Sequence, residues 1–166
     1  MLNKDQIIQL LVEQNAAPRK QVQGCSQHEV KELENAYKVN LPQQYREFLL
    51  AVGHKAGEWL QGIDIFYECL LRYNLTQEAQ ALLDETKNSG DFDLSLSQWD
   101  FELPEDAFVF CQLQGITFLY FIGTEGDDPP IYQYHQGNLA PKKQSETFSE
   151  FLESIIKSGY ISILLD

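Results

Sequence analysis

Two β-rich runs joined by a glycine-containing dipeptide constrain the fold of this chain more than any other feature. Phe108 to Leu113 and Ile116 to Phe121 are built mainly from β-branched, aromatic and other apolar residues. Gln114-Gly115 stands between them, and glycine tolerates the left-handed backbone that a tight turn requires. The pattern predicts an antiparallel hairpin, because so short a link cannot join parallel strands.

More strands are predicted on both sides of this hairpin. Ile131 to His135 has the composition of a third strand, and Gln136-Gly137-Asn138 predicts a turn into a fourth segment around Leu139. Tyr160 to Leu164 favours an additional edge strand. Earlier in the chain, the alternation of apolar and polar residues in Ile63 to Tyr67 predicts a further half-buried strand.

Helical periodicity and capping residues mark the remaining segments. In Ser26 to Glu29, the serine hydroxyl can accept from the amide three residues on while the glutamate reaches back to the cap amide. The predicted helices are Asn3 to Asn15, Ser26 to Tyr37, Leu41 to Gly53, Thr76 to Lys87, and one that starts at Thr147. The order of elements predicts an α+β fold, with a mostly antiparallel β-sheet packed against N-terminal helices and a C-terminal helix.

The size and composition are those of one globular domain spanning residues 1–166. Hydrophobic residues make up 43% of the chain, and its apolar runs are far shorter than the roughly 20 residues that a membrane span needs. The first residues show no basic stretch followed by an apolar run, so no signal peptide is predicted. The three cysteines are odd in number and far apart, which indicates reduced thiols and a cytoplasmic protein.

The charge is strongly acidic and unevenly distributed. The net charge of −13 disfavours nucleic acid and anionic membranes as partners. No Lys or Arg occurs between Lys87 and Lys142, whereas nine acids do: Asp91, Asp93, Asp100, Glu102, Glu105, Asp106, Glu125, Asp127 and Asp128. This stretch is either a solvated surface that aids solubility or a docking face for a basic partner, because a field of one sign speeds encounter with the opposite sign.

Two segments together resemble the SUKH superfamily, which includes the Smi/Knr-type domains. The first is the capped helix start from Gly24 that ends in Leu33-Glu34, and the second is Leu41-Pro42-Gln43-Gln44-Tyr45-Arg46-Glu47-Phe48-Leu49. The hairpin, the segment Asp128 to Tyr134 and the closing helix at Phe148 to Leu152 also follow that pattern. The resemblance implies an α+β fold with a mostly antiparallel sheet.

The same resemblance implies a function in protein binding. Many bacterial members are immunity partners of polymorphic toxins, often nucleases, and fungal relatives are interaction hubs around cell-wall assembly. The chain departs from the pattern where His54-Lys55-Ala56-Gly57 replaces the common Asn-Gly-Gly, and where an extra stretch, roughly Cys69 to Asp106, precedes the hairpin.

Motifs for catalysis or for metal binding are weak in this sequence. Cys25 and His28 have C-x-x-H spacing, but no second ligand pair follows, so no zinc site is predicted. Asp91-Phe92-Asp93 lacks the further ligands, glycine and closing glutamate of a calcium loop. The sequence contains no nucleophile elbow, phosphate-binding loop, dinucleotide-binding glycines or zinc-protease motif. We therefore expect neither an enzyme nor a cofactor, although an unrecognised carboxylate site stays open as an alternative.

Recognition of another protein is the function that remains. Aromatic residues interspersed with acids suit a desolvated anchor inside a charged rim. The predicted partner-binding residues are Trp59, Asp91, Phe92, Asp93, Trp99, Asp100, Phe101, Glu102, Asp127 and Asp128. The predicted partner is a basic protein toxin, such as a nuclease domain, which this chain would neutralise as an immunity protein. The alternative is a regulatory interaction scaffold of the cell-wall type.

Overall fold

The computed structural model describes residues 1–88, 101–136, 138 and 140–164. The helices in these residues are α1 (Lys4–Glu13), α2 (Gln27–Tyr37), α3 (Gln43–Val52), α4 (Tyr67–Tyr73), α5 (Leu75–Asn88) and α6 (Phe148–Ser158). The strands are β1 (Val22–Gln23), β2 (Lys55–Ala56), β3 (Ala107–Leu113), β4 (Thr117–Ile122), β5 (Ile131–His135) and β6 (Lys142–Ser145). None of the helices in the described ranges combines the length and the apolar character that crossing a membrane requires.

The main sheet is an antiparallel meander in the order β3-β4-β5-β6. Its first hairpin turns at Gln114 and Gly115, where both residues have positive φ, 53° and 74°. Strands β1 and β2 form a separate two-stranded ribbon beside α3. The α+β prediction and the predicted hairpin are both confirmed.

Local capping sets the start of three helices. Asn3 and Gln6 form a capping box at α1, and Ser26 and Glu29 form one at α2. The hydroxyl of Thr147 accepts from the third residue of α6. These bonds satisfy amides that have no partner within a helix, so the predicted starts are confirmed.

One aromatic cluster joins the helices to the sheet. The ring of Tyr45 in α3 lies 5.4 Å from Phe108 in β3, 5.2 Å from Phe121 in β4 and 5.3 Å from Phe148 in α6, centroid to centroid. All four residues are at most 1% exposed. Such ring pairs add to the burial of apolar area, so they fix α3 and α6 on the same face of the sheet.

Two predicted strands are absent from the described structure. Residues 63–66 form turns before α4, and a single bridge joins Asp64 to Gln112 in β3. A longer pairing with β3 does not form because α5 packs along that strand, where the hydroxyl of Thr76 accepts from the amide of Val109. Residues 161–164 are not a strand either. The side-chain amide of Gln133 exchanges two hydrogen bonds with the main chain of Leu164 and so takes the place of a strand pair.

The fourth strand of the sheet begins later than the sequence pattern indicates. The segment was predicted around Leu139, which lies outside the described residues, whereas β6 begins at Lys142. Its pairing with β5 runs from Gln133 with Lys142 to Ile131 with Ser145.

Candidate functional site

Four exposed carboxylates lie at one end of the main sheet. Glu105 and Asp106 come directly before β3, and Glu125 and Asp127 follow β4. Because β3 and β4 are antiparallel, the start of β3 and the end of β4 lie side by side at the same end of the sheet. The amide of Gly123 donates to the carbonyl of Asp106 at 2.9 Å and joins the two segments. We call these four carboxylate residues the acidic end of the sheet.

A cleft of about 460 Å³ opens beside the acidic end. Glu105 and Asp106 line one side, and residues 37–40, at and just beyond the end of α2, line the other. Lys38 is the basic residue of this lining. Within the described part of the chain, no residue of the acidic end takes part in an ion pair. Carboxylates without such a cation leave their charge available to an external basic group.

The loop that carries Asp127 is tied to the starts of two helices. The carbonyl of Asp127 accepts from the amide of Gln44 in α3 at 2.8 Å. The carboxylate of Asp128 accepts from both the amide and the hydroxyl of Ser149 in α6, at 2.9 and 2.6 Å. Asp128, which the sequence analysis assigned to partner binding, is only 15% exposed and points inward. The loop therefore presents the carboxylate of Asp127 to solvent on a fixed backbone.

The predicted aromatic anchors lie in different surroundings. Trp59, in the turn after β2, is 4% exposed, and its indole donates to the carbonyl of Ile155 in α6 at 3.3 Å. It is therefore part of the core, packed against α6. Phe101 is half-buried and stacks on Tyr134 at 5.4 Å. A core ring is not available to a partner, whereas Phe101 keeps part of its surface exposed.

The remaining predicted residues divide into one that is described and five that are not. Glu102 is 76% exposed, and its carboxylate lies 3.1 Å from the ammonium group of Lys87. The basic residue at the boundary of the acidic stretch thus neutralises one of its acids. Outside the described residues lie Asp91, Phe92, Asp93, Trp99 and Asp100.

The three thiols offer no nucleophile near neutral pH. Burial raises the pKa of Cys25 to about 12, and it also raises that of Cys111. Burial, aided by a hydrogen bond to Asp64, also raises the pKa of Cys69. Because the thiolate is the reactive form, thiols held protonated are weak nucleophiles.

A second polar cluster, which the sequence analysis missed, surrounds His54. Its Nδ1 lies 2.6 Å from Oε1 of Glu68, and its Nε2 lies 3.2 Å from Oε1 of Glu29. Although burial lowers the pKa of His54, hydrogen bonds and charges from Glu68 and Glu29 raise it overall. No spacing rule connects three residues this far apart in the chain. The one sequence signal was the replacement of the usual glycine turn by His54-Lys55-Ala56-Gly57.

Comparison with known proteins identifies one family. A family model described as SMI1 / KNR4 family (SUKH-1) matches residues 24–154. The match begins just before α2, ends within α6 and includes the segments that form the acidic end. A comparison with curated proteins finds no matching relative.

Proposed function

The chain belongs to the SMI1/KNR4 family (SUKH-1), and from that premise we propose that it is a non-catalytic, cytoplasmic immunity protein that binds and neutralises a basic toxin, such as a nuclease domain. The family fits either an immunity or a regulatory domain. The observation that carries the choice of a basic partner is the acidic end of the sheet, whose exposed carboxylates have no ion-pair partner in the described residues.

The charge and shape of this surface suit a nuclease. A nuclease needs a basic surface to hold phosphates, and that surface attracts carboxylates in the same way. The cleft beside Glu105 and Asp106 has room for one or two basic side chains. Because the flanking loop is anchored to α3 and α6, little conformational entropy is lost when a partner docks.

Charges at the rim of an interface act mainly on the association rate. Their reach is about 10 Å in 0.1 M salt and shrinks as the salt concentration rises. Neutralising the acidic end should therefore slow association several-fold at low salt and change it little at high salt. The dissociation rate should change less, since it depends on contacts at the centre of the interface.

The test uses a toxin obtained with this protein as bait from a toxin-expressing strain. Association kinetics of the purified toxin domain are measured over a salt series. The test variant carries Glu105→Gln, Asp106→Asn, Glu125→Gln and Asp127→Asn. An association rate that responds neither to salt nor to these substitutions would show that the acidic end is only a solvated surface.

A matched control separates local charge from net charge. It carries Glu13→Gln, Glu58→Gln, Asp84→Asn and Glu85→Gln, and all four of these sites are exposed and lie outside the acidic end. Both variants change the net charge by the same amount. Equal slowing by the two variants would contradict a localised docking surface.

Growth rescue distinguishes immunity from regulation. Co-expression of the chain with its toxin should restore growth and abolish nucleic-acid cleavage by the toxin in extracts. A chain that binds a cell-wall regulator but rescues no toxin would instead support the regulatory alternative. A turnover reaction by the purified chain that disappears in an Asp127→Asn variant would contradict the non-catalytic assignment.

A further inference from the structure

Three side chains with metal-binding chemistry converge at the start of α2. Cys25 precedes the helix, Glu29 lies in its first turn, and His54 follows α3. One thiol, one carboxylate oxygen and one imidazole nitrogen from these residues all lie within 4.8 Å of one another. Thiolate, imidazole and carboxylate are the ligand types that zinc takes in proteins.

The spacing of two of these atoms already fits a tetrahedral ion. Two ligands at about 2.0–2.1 Å from a tetrahedral ion are about 3.3 Å apart. Nε2 of His54 and Oε1 of Glu29 are 3.2 Å apart. A zinc–sulfur bond of about 2.3 Å places the sulfur about 3.5 Å from the other ligands. The thiol of Cys25 already lies within 4.8 Å of both of them.

The imidazole is oriented for coordination by a second carboxylate. Oε1 of Glu68 lies 2.6 Å from Nδ1 of His54, and Nε2 is the ring nitrogen that faces Glu29 and the cluster. With Nδ1–H donating to Glu68, a cation can take the place of the proton on Nε2. A histidine that binds a metal almost always donates its other ring N–H to such a partner. The edge of the Tyr67 ring, 5.4 Å from the imidazole between centroids, restricts it further.

The carboxylate and the thiol are held in place as well. Oε2 of Glu29 accepts from the amide and the hydroxyl of Ser26, at 2.7 and 2.9 Å, so Oε1 alone faces His54. The amide of Cys25 donates to the carbonyl of Leu49 at 2.8 Å. A Cβ atom at Gly53 would lie 2.3 Å from the sulfur, so the glycine leaves the space that the thiol occupies. Each donor thus has a support that does not depend on a metal.

We propose that Cys25, Glu29 and His54 form a binding site for one zinc-class divalent cation, with Glu68 as the positioning residue of the imidazole. A thiolate with an imidazole selects Zn²⁺ over Mg²⁺ or Ca²⁺, which prefer oxygen ligands. Binding releases to solvent the thiol proton of Cys25 and any proton on Nε2 of His54, and it leaves a fourth position for water. The ion links the start of α2 to the turn after α3. This site is separate from the acidic end, and it does not rest on the proposed function.

Cobalt provides a direct readout, because a thiolate ligand gives Co²⁺ an intense charge-transfer absorption. Untagged, reduced protein is stripped of metal with a chelator and titrated with Co²⁺. We expect one equivalent to bind with that absorption, and Zn²⁺ to displace it. Absence of the thiolate band in the unsubstituted protein would overturn the proposal.

Two matched pairs of variants locate the site. Cys25→Ser should abolish the band, whereas Cys69→Ser, a half-exposed thiol outside the cluster, should keep it. Glu68→Gln should keep the band and weaken Co²⁺ binding about 10- to 100-fold, as loss of an outer-shell partner does. Glu58→Gln is its control on an exposed side chain.

The Glu68 pair keeps the test decisive if Cys25→Ser fails to fold. Glu68 is 58% exposed, so its amide variant retains the fold, which circular dichroism checks. An unchanged Co²⁺ affinity in Glu68→Gln, or an equal band in Cys25→Ser and Cys69→Ser, would place the ion elsewhere and refute the site.

Discussion

Replacing Glu34 with alanine should destabilise the fold by about 3 kcal/mol, because its carboxylate is a buried link between two helices. The side chain lies in α2 and is 1% exposed. Oε1 accepts from the amide of Leu41 at 2.9 Å and pairs with the guanidinium of Arg46 in α3. Oε2 lies 3.1 Å from the ammonium group of Lys31.

The magnitude follows from what the truncation leaves behind. Removing one partner of a buried ion pair costs about 3–5 kcal/mol. Arg46 is 35% exposed and can turn to water, which favours the lower end of that range. The amide of Leu41 loses its acceptor as well. In a chain of this size, about 3 kcal/mol corresponds to a fall in Tm of about 6–12 °C.

Two further substitutions serve as controls in the same assay. Glu34→Gln keeps an acceptor for the Leu41 amide but removes the charge, so its cost should be intermediate. Lys31→Ala removes an ammonium group that is 62% exposed, so its cost should be below about 1 kcal/mol. The free energy of unfolding is measured by urea titration with tryptophan fluorescence. A cost below about 1 kcal/mol for Glu34→Ala would refute the role of Glu34 as a buried link.

Three other predictions address the loop, a close contact and the pH range. Asp128→Ala should lower the free energy of unfolding in urea by about 1–2 kcal/mol, because two hydrogen bonds to Ser149 are lost, whereas Asp127→Ala should lower it little. Equal costs would contradict the different roles of the two residues, with Asp128 bonded to Ser149 and Asp127 facing solvent. Gly24→Ala should cost about 3 kcal/mol by the same measurement, since the new Cβ would lie 1.8 Å from the carbonyl oxygen of Leu50, and a neutral effect would disprove that contact. Burial raises the pKa of the hydroxyls of Tyr37, Tyr45, Tyr120 and Tyr134 above the ordinary value of 10. The stability gained by keeping these hydroxyls neutral is full below pH about 10 and is lost as the pH rises above it. The urea midpoint should therefore fall above pH about 10, together with the appearance of tyrosinate absorbance. Tyrosinate formation by these groups in a protein that is still native would argue against their burial.

Features that depend on neighbours within three or four residues were predictable from the sequence. The capping box of Ser26 and Glu29 and the glycine turn at Gly115 are both confirmed, because their hydrogen bonds and backbone angles are set locally. The alternation in Ile63 to Tyr67 misled for the opposite reason. Apolar residues at every second position show that a segment is half-buried, whereas a strand also needs a free partner edge. On the edge of β3, the hydroxyl of Thr76 in α5 already accepts from the amide of Val109.

The candidate site also combines features that the sequence predicts with features that only the fold decides. The stretch of the sequence that is rich in acidic residues indicated the carboxylates of the acidic end, because charged groups stay at the surface in almost any fold. The antiparallel register of β3 and β4 brought Asp106 and Glu125 to the same end of the sheet. It was the packing of α6 that turned Asp128 inward to Ser149 and buried Trp59.

The sequence by itself determined the capped starts of α1, α2 and α6, the hairpin and the acidic character of the chain, because each follows from short-range chemistry and composition. Only the tertiary structure decided which distant residues share a site. Cys25 and Glu29 meet His54 because α2 and α3 pack side by side and Gly53 leaves room for the thiol. Contacts of this kind depend on how helices pack and on the space between them, and neither is encoded in any one stretch of the chain.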